Sequence, residues 1–84
     1  MSVAKEMIAR SIRAAAKLNQ TFPIPAKGDE CFREKLDLWG EARCYQLAIE
    51  ELLKDLFDHP DSSEVMSELF EIHRKIDTRY NIEY

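Results

Sequence analysis

His59, His73, Cys31 and Cys44 are the only imidazole and thiol side chains in this chain of 84 residues. A transition-metal site needs several such donors converging on one point, usually presented at spacings such as C-x-x-C, H-E-x-x-H or E-x-x-H. None of these spacings occurs, so the expectation is a chain with no bound metal and no cofactor. Nucleophilic catalysis needs a base beside a serine or cysteine, and no G-x-S-x-G signature is present. Cys44, between Arg43 and Tyr45 in a helical stretch, reads as a small packed residue. His59 falls in a polar break, and His73 at the edge of an apolar stripe.

Carboxylates offer the other route to chemistry. All-α nucleotide pyrophosphohydrolases hold magnesium with helical E-E-x-x-E and E-x-x-D patterns. Here Glu50 and Glu51 are followed by Leu52, Leu53 and Lys54, so the third acid is missing, and the last helical segment has no E-x-x-D. With only two glycines the chain also lacks a glycine-rich phosphate loop. The expectation is therefore a non-enzymatic protein, with a metal-dependent helical enzyme as the weakest alternative.

The order of charges along the chain says more. Residues 50–71 hold eight carboxylates against the single cation Lys54, a net of −7, while residues 1–20 carry a net of +3. Such an acidic end is either a solvated surface or a docking site for a protein with a basic surface. Asp58, Asp61, Glu64 and Glu68, clustered around the second turn, are the candidate docking carboxylates. Arg10, Arg13 and Lys17 share one face of the first helical segment and could follow nucleic-acid phosphates. Three cations give only a modest salt-dependent attraction, and the overall charge of −4 opposes it. A nucleic-acid-binding regulator is the alternative reading, not the leading one.

The elements that must position these groups read as an all-α fold, one domain over residues 1–84. Apolar residues make up 45% and charged residues 33%, the composition of a well-solvated globule. The spacing predicts helices over about residues 3–19, 30–57 and 62–80. Ser2 is placed to cap the first, Asp29 the second, and Asp61 with Glu64 the third. The connector TFPIPAKGD holds two prolines and a glycine, which exclude helix, and its Phe22 and Ile24 are expected to fold back on the core. Val3, Met7, Ile8, Ser11, Ala14, Ala15 and Leu18 form the apolar side of the first helix. Val65, Leu69, Ile72, Ile76 and Tyr80, widened by Met66, Phe70 and His73, form that of the third.

The middle segment has two apolar groups. Leu38, Ala42, Tyr45, Ile49, Leu52 and Leu56 recur at alternating spacings of four and three, a coiled-coil-like seam. Phe32, Leu36, Trp39 and Leu47 lie about 130° away around the same helix, at about 100° per residue. If the helix runs unbroken through Gly40, these two faces need two different covers. A break at Gly40 would instead reset the phase and let both groups line one core. The expected architecture is an antiparallel three-helix bundle with a long central helix. The seam faces the other two helices, and Phe32, Leu36, Trp39 and Leu47 form the contact with a second copy.

Two thiols about 20 Å apart on one helix cannot pair with each other, which points to a reducing, cytoplasmic setting. The acid-poor, arginine-bearing start has the amphipathic character of a transit peptide, but an ordered first helix is the better reading and is the expectation. The resulting functional expectation is a small interaction module, an adaptor, inhibitor or regulatory protein of bacterial or phage-like economy. Its partners would be itself, as a homodimer, and a protein with a basic surface.

Overall fold

The computed structural model describes residues 3–81 and, among them, three helices and no strand. The helices are α1 (Val3–Thr21), α2 (Phe32–Asp58) and α3 (Ser63–Tyr80). Among the described residues no helix is long and apolar enough to cross a membrane. Ser2, expected to cap α1, lies outside the described residues.

The helix ends follow local chemistry, not always as the sequence suggests. α1 continues two residues beyond the expected end, because only the residue directly before Pro23 is barred from helical geometry. The Thr21 hydroxyl donates to the Lys17 carbonyl at 2.8 Å, and the Phe22 amide reaches the Leu18 carbonyl at 3.0 Å. Asp29 does not cap α2. Its carboxylate turns back to accept from the Ala26 amide at 3.1 Å, closing the turn that precedes the helix. The residue at the helix start is Cys31, in left-handed backbone geometry (φ 58°, ψ 36°) and with no side-chain cap, so α2 begins at Phe32 and not at residue 30. Asp61 is likewise not the cap of α3. The Ser62 hydroxyl accepts from the Val65 amide at 3.3 Å, and its shorter side chain suits that role as well as an aspartate does. Asn81 ends α3 in left-handed geometry, a common helix terminator.

α2 runs 27 residues without interruption through Gly40. The seam predicted for it faces inward: Ala42, Ile49 and Leu56 are buried, while Leu38, Tyr45 and Leu52 are half-buried. Two clusters make the core. Ala14, Leu18, Ala42, Ile49, Leu53 and Ile76 form one, and Ala4, Met7, Leu56 and Leu69 the other, with Ile8 packed against both. Small residues where helices meet let the backbones approach closely. The Gln46 amide uses that proximity, donating to the Ala15 carbonyl of α1 at 2.8 Å.

Side-chain contacts tie the far end of α3 to the middle of α2. Arg79 Nε and the Tyr80 hydroxyl both donate to Glu41 Oε1, at 2.8 and 2.9 Å. Arg79 first, and then Tyr80, hold the Glu41 carboxyl below its usual range, while burial first and Glu41 second push the Tyr80 hydroxyl up. The Tyr80 ring also packs 4.9 Å from Phe22, so the connector is pinned as predicted at that residue. Ile24, expected to fold back with it, is 65% exposed. The two prolines beside it keep the backbone extended and carry its side chain outward. Phe70, placed by its spacing in the core stripe, is 61% exposed. It lies at the stripe's edge, where the guanidinium of Arg10 sits 5.8 Å over its ring.

The radius of gyration is 14.2 Å and the extents are 46 × 22 × 16 Å. A compact chain of this length would have a radius of gyration of about 12 Å, so the molecule is elongated along its helices. Elongation leaves a large share of helix surface with nothing against it.

Candidate functional site

The first part of α2 contributes nothing to the buried core. The earliest buried residue of the helix is Ala42, and none of the ten residues from Phe32 to Glu41 is buried. The reason is length. α1 and α3 have 19 and 18 residues against 27 for α2, and Tyr80, at the end of α3, already meets Glu41. The stretch 32–40 therefore projects past the end of α3, flanked by the proline-containing connector.

The structure places Phe32, Leu36 and Trp39 half-buried on this projecting stretch and leaves Leu47 46% exposed further along. Phe57 extends the same face, and Ile12 of α1 is a further exposed apolar residue; neither is singled out by the sequence pattern. Phe57 is 64% exposed and Ile12 of α1 is 55% exposed. Phe57 follows Trp39 by 18 residues, about five full helical turns, so the two side chains leave α2 in the same direction. That periodicity was readable beforehand, but Phe57 sits beside the seam residue Leu56 and is easily assigned to the seam. Ile12 had no such signal, because its exposure depends on how α1 is rotated against α2.

Asp58, Asp61, Glu64 and Glu68 are all exposed. Among the described residues none of them is in an ion pair. Their charge is thus available to solvent or to a partner. The three cations of α1 are less uniform. Arg10 NH2 lies 3.4 Å from the Asp77 carboxylate and its guanidinium covers Phe70, Lys17 is half-buried and Arg13 is exposed. One of the three is thus engaged inside the protein.

The groups with chemical potential are dispersed. His59 is exposed. Cys31 and Cys44 are free and exposed, so Cys44 is not the packed residue its mid-helix position suggested; at about 120° from Leu38 around the wheel it falls outside the buried arc. Among the described residues no three His, Cys, Asp or Glu side chains gather where they could share a metal ion.

One pairing was not foreseen. His73 is fully buried, and its Nε2 lies 2.9 Å from Ser11 Oγ, itself fully buried. A serine beside a histidine is half of a nucleophilic arrangement. Here both side chains are enclosed by packed helices, and the pair leaves no surface for a substrate to reach. Burial first, and the nearby Arg10 charge second, lower the His73 pKa, while Asp77 offsets part of that effect.

Compared with protein-family models, curated proteins and solved structures, the chain matches none.

Proposed function

We propose that this is a non-enzymatic interaction module that works as a homodimer, joined along α2, and presents its acidic end to a protein with a basic surface. In this reading the three helices form an antiparallel bundle in which α2 is the long central member, serving the core with one face and a second copy with another. The observation that carries the reading is the uncovered apolar face. Phe32, Leu36, Trp39, Leu47 and Phe57 recur along one side of α2, half-buried or exposed, roughly a quarter turn from the side that fills the core. A contiguous apolar surface rimmed by charge is the usual mark of an interface, and a central tryptophan is a favoured anchor.

The acidic end supports the second half of the proposal. Four exposed carboxylates without intramolecular ion pairs would accelerate encounter with a basic partner. Two exposed free thiols fit a reducing, cytoplasmic setting. Sedimentation equilibrium over a micromolar concentration series tests the central claim. The expected result is a reversible monomer–dimer equilibrium, and a mass that stays monomeric at high micromolar concentration would refute it.

A further inference from the structure

We infer that the two copies pair antiparallel along α2, about a two-fold axis close to Leu47, so that Arg43 of each meets Glu50 of the partner subunit. This inference rests on the self-association proposed above and specifies its geometry. Along this face of α2 the order is Phe32, Leu36, Trp39, Arg43, Leu47, Glu50, Lys54 and Phe57. The antiparallel register sets Lys54 level with Trp39 of the partner subunit, where parallel pairing would set it against a third like charge. Arg43 stands four residues before Leu47 and Glu50 three after it. Both are exposed, and among the described residues neither is in an ion pair. The contact of Arg43 within its own chain is a 3.3 Å hydrogen bond to Gln46, which leaves its other guanidinium nitrogens for a partner.

An interface between identical chains must be self-complementary. Parallel pairing sets Arg43 against Arg43 and Glu50 against Glu50, with like charges facing twice. Antiparallel pairing about Leu47 sets opposite charges together at both places. It also brings Leu36 level with Phe57 of the partner subunit, an apolar match made twice. Arg33 and Asp58, which leave the helix within about 20° of one another, come to lie on the same side at nearly the same height, adding a further pair of opposite sign. The projecting stretch 32–40 of one copy is then covered by the acidic half of the other α2. The half-buried apolar residues of that stretch thus find a fuller cover in the other chain.

Disulfide mapping tests the arrangement. In a background with Cys31→Ser and Cys44→Ser, chains bearing Leu36→Cys and chains bearing Phe57→Cys are mixed and oxidised. The expected product is the mixed disulfide, with no cross-link in Leu36→Cys alone, since antiparallel pairing holds the two copies of that position about 30 Å apart. Efficient cross-linking of Leu36→Cys with itself would overturn the inference in favour of a parallel dimer.

A charge-reversal cycle gives an independent reading. Arg43→Glu should raise the dimer dissociation constant by about tenfold or more, and adding Glu50→Arg should return it to within a few-fold of the wild type. A dimer indifferent to Arg43→Glu overturns the register while leaving self-association standing. A wild-type protein that sediments as a monomer removes both.

Discussion

Ser11 Oγ lies 2.9 Å from His73 Nε2, and neither residue exposes any surface. The pair joins α1 to α3 across an interior whose other buried polar side chain among the described residues is Gln46. Its geometry fixes the register of the two helices, because a slip of α3 by one turn would leave a buried imidazole without this partner. Burial, followed by the positive charge of Arg10, holds the His73 pKa below its ordinary value of 6.5, against a smaller opposing effect of Asp77. The unfolded chain therefore takes up the proton first as the pH falls. Stability contributed by neutral His73 is complete above pH 6.5 and is lost progressively below it. Urea titrations between pH 8 and pH 5 should record that decline, and the double variant Ser11→Ala with His73→Leu should flatten it.

The same pair makes a coupling prediction. Ser11→Ala alone strands a buried ring nitrogen and should cost about 1 to 3 kcal/mol. Replacing both partners with apolar groups removes the stranded group, so the double variant should lose much less than the sum of the two single changes. Equal additivity in denaturant titrations at pH 8 would mean that the contact contributes nothing.

Gly40 predicts a gain. It sits inside continuous helix, and a β-carbon built on it meets no atom within 4 Å. Gly40→Ala should therefore stabilise the protein by about 0.5 to 1 kcal/mol through the backbone entropy of the unfolded chain. The measurement is a urea midpoint compared with the parent at one fixed protein concentration, because association makes the midpoint concentration-dependent.

Much of the fold was legible because apolar periodicity and helix punctuation agree. The seam from Leu38 to Leu56, the stripe from Met7 to Leu18 and the run from Leu69 to Ile76 all point inward, and the two proline-bearing breaks separate the helices. What was not legible depends on the approach of one helix to another. His73 and Ser11 are ordinary residues at the edges of stripes until α1 and α3 are set side by side. The caps were misread at Asp29 and Asp61 because several polar residues compete at each helix start, and turn geometry selects among them. The candidate face was legible at Phe32, Leu36, Trp39 and Leu47. Its extension to Phe57, and the exposure of Ile12, depend on the rotation of each helix about its axis, which periodicity fixes only to within about a residue.

The acidic end should be nearly silent in stability and active in association. Asp58, Asp61, Glu64 and Glu68 are exposed, and Ser62 caps α3, so amide replacement at all four removes no cap. Glu64 favours the start of α3 while Asp58 opposes the end of α2, and these helix-dipole effects have opposite signs. The melt should shift by the equivalent of less than about 1 kcal/mol. Binding of a labelled oligolysine peptide, followed by fluorescence anisotropy, should weaken most at low salt. Unchanged binding at every ionic strength would leave these carboxylates as a solvated surface.

The last prediction separates the two faces of α2. Leu36 and Trp39 lie on the projecting stretch, half-buried and beyond the end of α3, whereas Ile49 is fully buried in the larger core cluster. Leu36→Ala with Trp39→Ala removes apolar surface that the single chain covers only in part. The expected product is a folded monomer with the helical circular dichroism of the parent at matched concentration, its apparent stability lowered chiefly by the lost association. Ile49→Asp acts on the core-facing side of the same helix. It places a carboxylate among Ala14, Leu18 and Ile76 with no cation within that cluster, at a cost of several kcal/mol that a small domain cannot absorb. That variant should be unfolded at room temperature. Sedimentation and circular dichroism together decide the matter: if the Leu36 and Trp39 pair unfolds the chain as Ile49→Asp does, those side chains belong to the core and the α2 face is not an interface.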